Sequence, residues 1–250
     1  MNDLPVELRM LQCKQLSPSS AVSLAAVMLD CGFKLMVRAD GGMRLIQSKA
    51  ELQELLQWQY TGSQYADNGR VEDAEWSFMF PARLDSLPGF DNGIVEIRQM
   101  AAHTNKISVY CLADFEFKDQ RTFVEPLAQA LRTLAEALYS VSKPEFTAVD
   151  NGNRLSVTPR DVSQTRLTTI NWLNIWGPGY VARYGRDLLL RVPGHEARTI
   201  EDGAILYQLT PTFVANDANK AKEMRSTVVK HFADAGLKVR CHAPYALPPT

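Results

Sequence analysis

The side chains best able to hold a metal or act as nucleophiles are four histidines and four cysteines, and their spacing argues against both roles. His103, His195, His231 and His242 form no HExxH pair, the arrangement that sets two imidazoles on one helix face around zinc. Cys241 and His242 are adjacent, but neighbours on a strand point to opposite sides and would not share an ion. Cys13, Cys31, Cys111 and Cys241 stand singly among apolar residues with no CxxC pair, as small buried hydrophobes do in a reducing compartment. A thiolate nucleophile needs a histidine close by and a lowered pKa, and Val109-Tyr110-Cys111-Leu112 suggests neither. No GxSxG, GxGxxG or P-loop occurs, because Gly177-Pro178-Gly179 lacks the lysine and third glycine of such loops. The expectation is a chain with no catalytic residue, no metal and no cofactor.

Carboxylates are the remaining chemistry. Glu72, Asp73 and Glu75 cluster before an expected strand, and Asp114, Glu116 and Asp119 cluster at the end of another. Paired carboxylates can serve as acid and base in glycoside hydrolysis, yet no sugar-stacking aromatic platform accompanies these. A solvated face is the simplest reading, and an acidic docking surface for a basic protein is the next. The 27 basic and 28 acidic side chains leave a net charge of −1 with no basic run, which disfavours nucleic acid as a partner. The start, MNDLPVELRMLQCKQLS, lacks the charged and apolar regions of a signal peptide. No stretch reaches the roughly 18 apolar residues of a membrane span, so a soluble cytoplasmic protein is expected.

The elements that would position these groups follow from periodicity. Ser17-Pro18 opens a helix with Val22, Ala25, Ala26 and Leu29 on one face. Ser48 and Glu51 form a capping box. Phe123, Leu127, Leu131, Leu134 and Leu138 recur at steps of three and four in a helix from about 120 to 141, and Met224, Val228 and Phe232 do so from about 219 to 235. Strands are expected at 6–13, 33–38, 43–47, 75–80, 93–100, 106–117, 167–175, 204–210 and 237–241, the fourth to sixth forming an antiparallel meander. Asp150-Asn151-Gly152-Asn153 reads as a turn, and Thr158–Thr165 as a linker. Strands in series followed by helices indicate an α+β fold, with a largely antiparallel sheet and helices packed on one face. A division at 1–157 and 158–250 suits this order, as one continuous domain or as two similar halves.

The most distinctive block lies in the second half. Ile170, Trp172, Asn174 and Trp176 alternate as if on one face of a strand, and Gly177-Pro178 then starts a short helix closed by Gly185. Asp202-Gly203 opens the next strand. Large apolar groups on both faces of the tryptophan segment indicate a covered, central strand. This W-x-N-x-x-G-P corner with its D-G turn resembles the C-terminal region of bacterial immunity proteins, above all the immunity protein 52 group. Ile107–Phe117 and the helix ending LAEALYS are similar to the central part of that group. The resemblance covers less than half of the chain and is weakest before Leu84. It implies a protein that binds and neutralises a cognate secreted toxin, often a nuclease, in the cytoplasm, with no catalytic residue to carry over. Against a nuclease, the two acidic clusters would mimic phosphate charge in a positive groove. A chaperone or adaptor for a secretion or phage-like apparatus, and an enzyme with an unrecognised site, are the alternatives.

Overall fold

The computed structural model describes residues 6–13, 18–39, 42–46, 48, 50–51, 74–84, 93–100, 106–111, 120–152, 155–215 and 217–242. Their strands form a ten-stranded sheet in which all paired neighbours run antiparallel, which with its helices makes an α+β fold. At the centre is β1 (Val6–Leu11), paired with β6 (Lys106–Cys111) on one side and β7 (Phe146–Asn151) on the other. Beyond β6 lie β5 (Gly93–Met100), β4 (Ala74–Leu84), β2 (Phe33–Ala39) and β3 (Gly42–Leu45), with the expected meander in β4, β5 and β6. Beyond β7 lie β9 (Leu173–Trp176), β11 (Ile205–Gln208) and the edge strand β10 (Glu196–Thr199). Strands β8 (Thr169–Ile170) and β12 (Arg240–Cys241) make a separate parallel pair.

Alternation along β1 sends Val6, Leu8 and Met10 into one core, where they meet Ile107, Val109 and Val149 from neighbouring strands. Two helices close that core: α1 (Pro18–Asp30) and α2 (Gln120–Ser142). Leu127, Leu131, Leu134 and Leu138 are fully buried at helical spacing, as their periodicity requires. The inner stripe of α1 is Leu24, Ala25 and Met28, rotated from the expected one. Val22 and Leu29 flank it half-buried, because the paired long side chains four residues apart fill the core better.

The other face of the sheet is also covered, at the β7–β9–β11 end. Phe146, Ala148, Trp176, Ile205 and Tyr207 meet residues from α3 (Pro159–Ser163), α4 (Pro178–Tyr184), α5 (Arg186–Leu190) and α6 (Ala218–Asp234). Every residue of β7, β9 and β11 is therefore buried. The expected helices on one face are α1 and α2, and α3 to α6 add a second layer behind it.

Three expectations are corrected. Residues 146–149, given no element in sequence, form β7, which runs through Asp150 and Asn151, where a turn was expected. The supposed linker contains α3, whose Thr158 and Asp161 complete a capping box around Pro159 at the first position. The expected strand 167–175 is broken between β8 and β9. The sheet runs without interruption from β7 to β9, across residues 157 and 158. Outward from β1 and β7 the orders are β6-β5-β4-β2-β3 and β9-β11-β10, so among the described residues the two sides of the sheet differ in strand order.

Candidate functional site

The tryptophan block is shaped by two asparagines and an aspartate. Asn171 donates its main-chain N–H and its side-chain amide to Asn174 Oδ1, at 3.2 and 3.1 Å, and Asn174 Nδ2 donates back to Asn171 O at 2.9 Å. Trp172 N–H donates to Asp150 Oδ2 on β7, at 3.2 Å. Both asparagines are 0 % exposed and Asp150 4 %, so these bonds satisfy groups that water cannot reach. Local side-chain bonds of this kind compete with a strand ladder, and here they interrupt it. The tryptophans accordingly do not share a face. Trp172 joins the α2 side, edge-on to Phe213 at 5.4 Å, with its indole N–H donating to Thr210 O and Thr212 O. Trp176 lies on the opposite side, stacked on Tyr207 at 5.5 Å.

The glycine-proline corner comes next. Gly177 is the N-cap of α4 and Pro178 takes the first helical position, as expected. A Cβ at Gly177 would sit 2.8 Å from Glu145 Cα and from Pro144 O, main-chain atoms that cannot yield. Glu145 holds the corner twice: its carbonyl accepts from Gly177 N, and its Oε2 accepts from Gly179 N, each at 2.9 Å. A carboxylate that accepts from the first turn of a helix also meets the positive end of the helix dipole. Gly185 joins α4 to α5 at φ +86°, where a β-carbon would be strained. Arg186 then donates to Thr199 Oγ1 and Gly203 O, fixing the Asp202-Gly203 turn ahead of β11.

At this turn titratable groups converge. Lys143 Nζ lies 2.6 Å from Glu201 Oε1 and 3.0 Å from Asp202 Oδ2, and 5.6 Å over the Tyr139 ring. Burial pulls the Lys143 pKa down, but hydrogen bonds and charge from Glu201 and Asp202 outweigh it and raise it overall. Burial, then the charges of Asp202, Glu145 and Glu201, push the Tyr139 phenol up to about 12. An ammonium and a phenol that both keep their protons near neutrality are neither nucleophile nor base. The cluster ties the end of α2 to the turn before β11.

Of the acidic residues singled out in the sequence, Glu72, Asp73, Asp114, Glu116 and Asp119 lie outside the described residues, as does His103; Glu75 lies on β4. His195 precedes β10, His242 follows β12, and the His231 ring on α6 is 3.0 Å from Leu188 O. Among the described residues no group of three or more His, Cys, Asp or Glu could hold a metal, and no helix is long and apolar enough to cross a membrane. Burial pushes the Cys13 and Cys241 thiols up to about 12, the opposite of a reactive cysteine.

One signal passes unnoticed when charge is summed over the whole chain. Residues 1–157 hold 15 basic and 20 acidic side chains, whereas 158–250 hold 12 basic and 8 acidic. The basic excess includes Arg160, Arg166 and Arg183, all exposed around α3 and α4. In comparisons with known proteins, no family model matches the chain, no curated protein is similar to it, and no solved structure matches its fold.

Proposed function

We propose that this chain is an immunity protein, which acts by binding and neutralising a cognate secreted toxin in the cytoplasm of the cell that makes both. The observation that carries the reading is the W-x-N-x-x-G-P corner with its D-G turn. Its residues serve as architecture: Trp172 and Trp176 fill cores, Gly177 and Pro178 start α4, and Asp202 pairs with Lys143. A motif spent on architecture suits an inhibitor, whose activity resides in a surface and needs no reacting group. Neutralisation follows from covering the toxin's active cleft, with specificity set by charge complementarity and a few anchors. For a nuclease toxin, the clusters Glu72/Asp73/Glu75 and Asp114/Glu116/Asp119 are the groups proposed to face its positive groove. The test is co-expression with the product of the adjacent gene. Restored growth together with co-purification supports the reading, and continued arrest with separate elution refutes it.

A further inference from the structure

We propose that the exposed arginines around α3 and α4 form a docking surface for a carboxylate-rich segment of a protein partner. Arg160, Arg166 and Arg183 are brought together by main-chain links. Gln164 N donates to Arg160 O at 3.1 Å, Arg166 N donates to Asp161 O at 2.7 Å, and Arg183 donates to Gln164 O. Two tyrosines of α4 pin the connecting loop: Tyr180 Oη donates to Arg166 O, and Tyr184 Oη donates to Thr165 O while accepting from Leu167 N. The arginines therefore project from a backbone already fixed, which lowers the ordering cost of binding.

Among the described residues none of the three forms an ion pair, although the charges of Asp161 and Glu145 are felt at Tyr180 beside Arg183. Arg132 and Arg198, elsewhere in the chain, are both ion-paired with Glu136 and Glu196. The carboxylate nearest in sequence to Arg160 is Asp161, and its Oδ2 accepts from Thr158 N at 3.1 Å and Thr158 Oγ1 at 2.6 Å. The Arg183 guanidinium lies 5.5 Å over the Tyr184 ring and gives Nη1 to Gln164 O, which leaves Nη2 and Nε for an acceptor. Guanidinium groups take carboxylates in bidentate fashion, and arginine with tyrosine is the pairing that anchors protein interfaces. Phosphate would satisfy the same donors. A nucleic-acid backbone, however, needs a basic track, and the first 157 residues carry a five-charge acidic excess. The acidic balance of the first 157 residues thus favours an acidic protein segment over a nucleic-acid backbone.

This inference stands on the corner's own geometry and does not depend on the toxin-binding reading. A labelled decaglutamate peptide is titrated with the full chain at low salt, beside an oligothymidylate of equal charge. Arg166→Glu with Arg183→Glu should weaken peptide binding about tenfold or more, while Arg191→Glu beyond α5 leaves it within about twofold. The neutral pair Arg166→Gln with Arg183→Gln, which keeps polarity without reversing charge, should give a smaller loss, with a cooperative melt showing that the fold is retained. Peptide affinity unaltered in either folded double variant overturns the proposal, as does an equal loss with Arg191→Glu. Tighter binding of the oligothymidylate than of the peptide by the wild-type chain also overturns it, in favour of a phosphate ligand.

Discussion

The two cores on either side of the sheet are built from different materials. The core under α1 and α2 is mainly aliphatic, with leucines at helical spacing facing Val, Leu, Met and Ile from the strands. The core behind β7, β9 and β11 is rich in aromatic side chains, with Phe146, Trp176, Tyr180 and Tyr207 drawn from short elements and Phe232 from the longer α6. A long helix brings its own periodic stripe to a sheet. Helices of five or seven residues cannot, and they need individual pins. Those pins are visible: Glu145 on the first turn of α4, the Thr158–Asp161 box on α3, and the Tyr207 hydroxyl donating to Pro193 O at 2.7 Å. The aliphatic core depends on area, and the aromatic core on area together with specific polar contacts.

The largest test of this contrast is Trp176→Ala. Removing a fully buried indole stacked on Tyr207 should cost about 3–5 kcal/mol in urea unfolding. An unchanged midpoint would mean that the second core contributes little. Next is Asn174→Ala, which leaves the buried Asn171 donors unpaired and should cost about 1–3 kcal/mol. A cost near zero would mean that the asparagine bonds do not stabilise the fold.

Alkaline pH acts on both cores. The Cys13 and Cys241 thiols, one in each core, rise from 9.0 to about 12, and Tyr139 rises from 10.0 to about 12, in every case chiefly through burial. Groups whose pKa is raised by folding contribute stability that is complete below pH 9 and lost as pH climbs from about 9 to 12. Melting temperature should therefore be flat from pH 7 to about 9 and then fall, with the fall reduced in Cys13→Ala and in Cys241→Ala. The smallest effect belongs to Lys143→Met. Its partners Glu201 and Asp202 are 56 % and 48 % exposed, so solvent screening limits the loss to about 1 kcal/mol, and added salt should shrink it further.

The same contrast governs what could be read in the sequence. Helices α2 and α6 were legible because their stripes recur at three and four residues over a long span. Strand β7 was hidden, since Phe146-Thr-Ala-Val-Asp-Asn is buried on both faces and shows no alternation, while its last residues have turn chemistry. The alternation of Ile170, Trp172, Asn174 and Trp176 misled in the opposite direction. It matches a strand, but bonds between asparagine side chains and backbone break the ladder and send the tryptophans to different cores. At the corner, the N-cap role of Gly177 and the placement of Pro178 were legible, because proline geometry is local. The Lys143 clasp was not, since it joins residues nearly sixty apart in sequence, a separation no periodicity records.

One sheet, through β1, β7 and β9, is expected to bind both cores into a single folding unit. Native-state hydrogen exchange across a urea series tests it directly. Amides of β1, β7 and β9 should exchange only by global unfolding, with one shared free energy and urea dependence. Exchange of β9 and β11 through a separate, lower-energy opening that leaves β1 and α2 protected would contradict it.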